Sequence, residues 1–193
     1  MKKLFVSHWL PNVETLGPNK RMAVWFAGCS KNCPCCCSPE LQSICNSSEC
    51  NPIALADFIN DKIKEYKLGG LTISGGDLLE QDCEAVECFL NRIEIDDILL
   101  YTGYDLIEVQ KLPVYEILKK KAAVLKCGRY VKELDDGHIL KGSSNQTFTY
   151  FKEKYRGLYE DYIDTHSRGL QVFITENEAI YAGLPENAVG DNI

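Results

Sequence analysis

Apolar residues in this chain fall into short unbroken runs, separated by longer stretches where they recur every three or four positions. "RMAVWFAG" (21–28) is a mainly apolar run of strand length closed by Gly28, and "GLTISGGD" (70–77) is a second that runs into a glycine turn. "DILLYTGY" (97–104) and "AAVLKCGRY" (122–130) repeat the pattern. Between the first two, "NPIALADFINDKIKEYK" (51–67) aligns Leu55, Phe58, Ile59, Ile63 and Tyr66 as one stripe, which predicts a helix. Asn51 suits its N-cap and Pro52 its first position. Leu79, Cys83, Val86, Leu90 and Ile93 predict a second helix, and "YDLIEVQKLPVYEILKK" (104–120) a broken one.

Four strand-then-turn units joined mostly through helices imply an α/β fold with a parallel sheet. Sites in such folds lie at the carboxyl ends of the strands. The turns after all four runs are therefore expected on one rim. Beyond them, "GSSNQ" (142–146) predicts a loop, "TYFKEKYRGLYEDYI" (149–163) partial helix, and "LQVFITEN" (170–177) a late strand. One domain is expected over 1–183, with a loose polar tail over 184–193.

Composition narrows the class. The chain has 193 residues, 45% hydrophobic and 25% charged, as in globular proteins. Its net charge of −7 argues against general nucleic-acid binding, and the basic "LKKKAA" (118–123) reads as the solvated last turn of a helix. No apolar run is long enough for a membrane span. The N-terminus reaches Pro11 before any signal-like stretch develops, so a cytoplasmic protein is expected.

Seven of the ten cysteines lie between Cys29 and Cys50. Such clustering in a reducing compartment points to metal or redox chemistry rather than disulfides. Cys29, Cys33 and Cys36 give C-x3-C-x2-C on the loop after the first strand. Three thiolates there can hold three irons of a [4Fe–4S] cluster and leave the fourth open. Cys33, Cys36, Cys45 and Cys50 can equally make a four-thiolate zinc site, so the cysteines alone leave both open.

Around this loop the chain resembles the radical S-adenosylmethionine superfamily, and more narrowly the activating proteins of anaerobic ribonucleotide reductases. The likeness runs from about residue 16 to 146. "GPNKR" (17–21) is similar to that family's G-P-G-x-R, "FAGCSKNCPCC" to its cysteine loop, and "SGGDLL" to its S-G-G-D-P-L, while "YTGY" and "GSSNQ" match later segments. Four positions depart from the pattern. Cys35 replaces an aromatic residue, Asn19 a glycine and Leu79 a proline, and Cys127 stands about where an aspartate is usual.

The resemblance implies an incomplete (β/α) barrel of mainly parallel strands with outer helices. It implies a [4Fe–4S] cluster on Cys29, Cys33 and Cys36, with S-adenosyl-L-methionine alongside Ser74, Gly75, Gly76 and Asp77. It implies that Tyr101, Thr102 and Tyr104 line the adenosine or substrate side. It further implies reductive cleavage to a 5′-deoxyadenosyl radical, which generates a glycyl radical on a partner such as anaerobic ribonucleotide reductase. A low-potential donor such as flavodoxin or ferredoxin would supply the electron. Plainer readings stand beside these: "SGGD" as a strand-to-helix turn with Asp77 as cap, "YTGY" as packed tyrosines, and Cys83 as core. Two other functions remain open: a radical enzyme acting on another peptide or small molecule, and a non-catalytic iron–sulfur or zinc module.

Overall fold

A computed structural model describes residues 2–45, 47–174 and 179–185. Along the chain come β1 (Leu4–Val13), β2 (Arg21–Phe26), β3 (Ser48–Cys50), α1 (Pro52–Tyr66), β4 (Gly70–Gly75), α2 (Cys83–Arg92) and β5 (Ile98–Tyr101). Then follow α3 (Leu106–Val109), α4 (Tyr115–Lys121), β6 (Val124–Cys127), β7 (Thr147–Tyr150), α5 (Arg156–Thr165), β8 (Leu170–Ile174) and β9 (Ala179–Gly183). The sheet runs β3-β1-β2-β4-β5-β6-β7, with β8 and β9 paired as a separate ribbon. β2, β4, β5 and β6 are parallel neighbours, and antiparallel strands flank them. This is the expected parallel core with helices, consistent with a partial barrel.

The four expected strands are all present, each shorter than its apolar run because the run's last residues form the turn. Helix α1 starts as its sequence dictates: the Asn51 side chain accepts from the Ile53 and Ala54 amides, and Pro52 follows. The stripe from Leu79 to Ile93 is interrupted. Leu78–Glu80 forms a 3-10 turn, and α2 begins anew behind its own cap, Asp82. The lysines of "LKKKAA" close α4, as expected.

Strand β1 is absent from the sequence reading, and its residues explain why. Its pairing with β2 shifts register between Val6 and His8 and again between Leu10 and Val13. Pro11 and left-handed Asn12 (φ 59°) occupy the second shift. Proline is tolerated there because β3 pairs only with Leu4–Val6, which leaves this part of β1 an edge. Of the late strand expected over 170–177, β8 covers Leu170–Ile174 and the remainder lies outside the described residues. The expected loose tail lies outside them from residue 186 onward.

Alternation along the parallel strands sorts side chains to two faces. Met22, Val24, Phe26, Leu71, Ile73, Ile98, Leu100, Leu125 and Cys127 pack against α1, α2 and α4 in the main core. Ala23 and Trp25 face the other way, onto Leu10, Leu41 and Ala182 of the β9 ribbon. Leu99 and Val124 meet Tyr159 and Tyr162 of α5. No helix among the described residues is long and apolar enough to cross a membrane.

The amino ends of these strands are locked by a buried ion pair. Arg21 donates to Asp97 (2.7 Å), the Thr72 hydroxyl (2.8 Å) and the carbonyls of Pro18 and Leu71 (3.0 Å each). The Tyr159 hydroxyl donates to Asp97 at 2.7 Å, which brings α5 into the same knot. Gly70 is required here, since a Cβ would lie 2.2 Å from the Arg21 guanidinium. Asn19, one of the departures noted above, sits at φ 63°, a conformation asparagine tolerates nearly as glycine does. Removing one member of a buried pair strands the other. Arg21→Ala should therefore cost about 3–5 kcal/mol, read as a large drop in the urea midpoint with an unchanged slope.

Candidate functional site

The carboxyl ends of β2 and β4 meet backbone to backbone. The Gly76 amide donates to the Phe26 carbonyl (2.7 Å) and the Asp77 amide to the Gly28 carbonyl (2.9 Å). A Cβ on Gly75 would lie 2.5 Å from the Phe26 oxygen, and one on Gly76 would lie 2.6 Å from the Gly28 oxygen. The sequence reading gave these glycines to close approach of a ligand. Their backbone closeness is to the base of the cysteine loop itself.

Asp77 extends that junction to β5. Its carboxylate accepts from the Leu79 amide (3.0 Å), the Thr102 hydroxyl (2.8 Å) and the Gly103 amide (2.9 Å), and the side chain is 1% exposed. The cap role is therefore realised, and with it a clamp on the "YTGY" turn. Leu79 takes part in a way proline could not, because it supplies the capping N–H. Burial pushes the Asp77 carboxyl up to about 6, against the opposing hydrogen bonds from Gly103, Thr102 and Leu79.

The cysteine loop is held over this junction. Gly28 and Cys29 donate their amides to the carbonyls of Leu41 and Gln42, so both ends of the loop are tied together. Ser30 donates its amide and hydroxyl to Glu80 at 2.6 and 3.0 Å. Lys31 lies 3.8 Å from Glu80 and 3.2 Å above the centre of the Tyr104 ring. Cys29, Cys33 and Cys36 are half-buried, whereas Cys35, Cys37 and Cys45 are exposed. The Cys36 amide donates to the Cys33 carbonyl at 3.2 Å, and Asn32 and Cys35 take left-handed backbone at φ 49° and 58°.

Burial pushes the Cys29 thiol up to about 11, with the charges of Asp77, Glu80 and Cys33 adding to it. Cys36 is raised by its hydrogen bond to Cys37 and by burial, while the Cys37 thiol is lowered to about 6 as the acceptor of that bond. Among the described residues no three His, Cys, Asp or Glu side chains converge as a ready-made metal site. The donor set nevertheless suits iron–sulfur chemistry, with three thiols on one loop pinned above the strand ends. Displacing protons from raised thiols makes metal loading pH-dependent.

The remaining candidates separate. Cys50 ends β3 opposite Leu4, on the edge of the sheet two strands from β2. Cys83 packs against the main core, Cys88 is exposed, and Cys127 is buried among the helices' contacts. Ser74 and Tyr101 lie on the face away from the helices. The register Trp25↔Ser74 and Tyr101↔Lys126 makes a row across that face beneath the cysteine loop. Sequence reasoning missed Glu80, the loop's anchor, and Lys126. The signal for the second was a lysine inside an otherwise apolar strand.

Asp77 has a pH consequence. Its folded value lies above its ordinary 3.8, so its contribution to stability is full below that value and is lost as pH rises through about 6. Asp77→Asn cannot ionise. The stability difference between wild type and this variant should therefore shift in the variant's favour from pH 4 to pH 7, as measured by urea unfolding at each pH.

The sequence matches the family described as "4Fe-4S single cluster domain" over residues 15–149, the span from just before β2 to β7. Relatives include the anaerobic ribonucleoside-triphosphate reductase-activating proteins of Escherichia coli (strain K12) and Salmonella typhimurium (strain LT2). Each is 29% identical over 140 residues, which is 67% of this chain and 88% of the relative. The matched span contains the cysteine loop, the β4–β5 junction and the row that ends at Lys126, and the chain thus belongs to the 4Fe–4S single cluster domain family, radical S-adenosylmethionine-like and distantly related to those activating proteins.

Proposed function

We propose that the protein is a cytoplasmic radical S-adenosylmethionine enzyme that generates a glycyl radical on a partner, such as an anaerobic ribonucleotide reductase, using electrons from a flavodoxin or ferredoxin. The observation that carries this reading is a C-x3-C-x2-C loop fixed over the carboxyl ends of parallel strands, in a chain of a 4Fe–4S family. Cys29, Cys33 and Cys36 would each ligate one iron and leave one iron open. When bound and reduced, such a cluster supplies the electron that splits S-adenosylmethionine into methionine and a 5′-deoxyadenosyl radical.

The chain's own residues have three tasks. Glu80, Gly28 and Cys29 hold the loop in place through Ser30, Leu41 and Gln42. Ser74, Gly75 and Gly76 flank the cofactor's amino-acid end. Asp77 acts on it chiefly through the turn it fixes, since its oxygens already serve Leu79, Thr102 and Gly103. Tyr101 and Thr102 border the adenosine side, where the site has to keep water from a radical that would attack any nearby C–H bond. A polypeptide partner closes the open side of the partial barrel.

Anaerobic reconstitution with iron and sulfide, then reduction with S-adenosylmethionine present, should yield 5′-deoxyadenosine. Cys29→Ala, Cys33→Ala and Cys36→Ala should each reduce the product to background, while Cys35→Ala and Cys37→Ala retain it. Product from all five variants would reject the ligand assignment. Its absence from wild-type protein with an intact cluster would reject self-contained cleavage.

A further inference from the structure

Glu80 anchors the cysteine loop with a charge of the wrong sign for what the loop is to hold. It ends the 3-10 turn after β4, and its carboxylate accepts from both the amide and the hydroxyl of Ser30, the residue next to Cys29. Two donors on one residue suit the two oxygens of a carboxylate. Iron, however, is bound by thiolates. A carboxylate beside them opposes any further negative charge placed on the same loop, and reduction by one electron adds such a charge.

Lys31 stands where that opposition can be offset. Its ammonium lies 3.8 Å from the Glu80 carboxylate and 3.2 Å above the centre of the Tyr104 ring, and its side chain is only 8% exposed. The stem passes over the β5 turn, where a Cβ on Gly103 would lie 3.0 Å from the Lys31 Cγ. Gly103 is also the residue whose amide donates to Asp77. The cation is therefore wedged between the loop's anchor and the turn that Asp77 holds, midway in sequence between Cys29 and Cys33. Away from water its charge is weakly screened. A buried pair of this kind is poor ground for stability, since apolar side chains would pack there as well. What it supplies is charge at a chosen place.

We propose that Lys31 neutralises the loop's anchor: held between Glu80 and the Tyr104 ring, its ammonium offsets the carboxylate's charge and raises the reduction potential of the cluster that the loop carries. The single electron comes from the low-potential donor of the function proposed above, and no bond or proton changes on Lys31. The inference rests on the iron–sulfur part of that reading, and not on S-adenosylmethionine or on the partner. Lys31 is thus a positioning residue that acts on electron uptake through Glu80.

The test is a dithionite titration of the anaerobically reconstituted protein without S-adenosylmethionine, with the reduced cluster followed by electron paramagnetic resonance. At the wild-type midpoint, Lys31→Met should lower the ratio of reduced to oxidised protein about tenfold, a move of about 59 mV to more negative potential for a one-electron couple. Lys31→Arg, which keeps the charge, should stay within about twofold of wild type. Glu80→Gln should move the midpoint the opposite way, and Lys31→Met combined with Glu80→Gln should return it towards wild type. Equal shifts in Lys31→Met and Lys31→Arg, or a double variant no nearer to wild type than Lys31→Met, would make Lys31 a packing residue and overturn the proposal. If Lys31→Met takes up no cluster, the sign for Glu80→Gln decides: a rise supports the proposal, and no rise overturns it. Wild-type protein that takes up no iron–sulfur cluster would overturn the proposed function and this inference with it, whereas an intact cluster indifferent to all four variants would overturn the inference alone.

Discussion

The site depends on the contact between the ends of two adjacent parallel strands. Where β2 and β4 finish, the amides of Gly76 and Asp77 bond to the carbonyls of Phe26 and Gly28, at separations that leave no room for a side chain. This contact fixes where the cysteine loop begins. Asp77 then ties the same point to the start of the β5 turn through Thr102 and Gly103. Asp77 therefore joins three strand ends, the end of β2 through its backbone amide and the β5 turn through its carboxylate. A loop of irregular backbone can hold its thiols in place only because its base is fixed in this way.

Opposite ends of the same strands use a different device. Arg21, Asp97, Thr72 and Tyr159 form a fully hydrogen-bonded buried network at the amino ends, where no chemistry is expected. Every donor on the Arg21 guanidinium has an acceptor, as stable buried charges require.

Much of this was legible in the sequence because the parallel strands are buried on both faces. Continuous apolar runs such as "RMAVWF" and the Asn51–Pro52 helix start have few competing readings. Strand β1 was hidden because its two register shifts break the alternation that reveals a strand, and Pro11 argues against one. The split between the 3-10 turn and α2 was hidden for another reason: the apolar stripe continues across a break that only Asp82's cap enforces. The cysteine spacing showed the candidate ligands but not how they are held, since Ser30 and Glu80 are fifty residues apart and meet only through the β2–β4 junction. Asp77's two roles were likewise inseparable in one dimension, because Thr102 is distant in sequence.

The central claim is an iron–sulfur cluster with one iron left open by three cysteines of this loop. Electron paramagnetic resonance of the anaerobically reconstituted, reduced protein, recorded before and after adding S-adenosylmethionine, tests it most directly. A reduced [4Fe–4S] signal that changes shape on addition, and is lost in Cys33→Ala, is the predicted result. A signal indifferent to S-adenosylmethionine, or protein that takes up zinc and no iron, would contradict it.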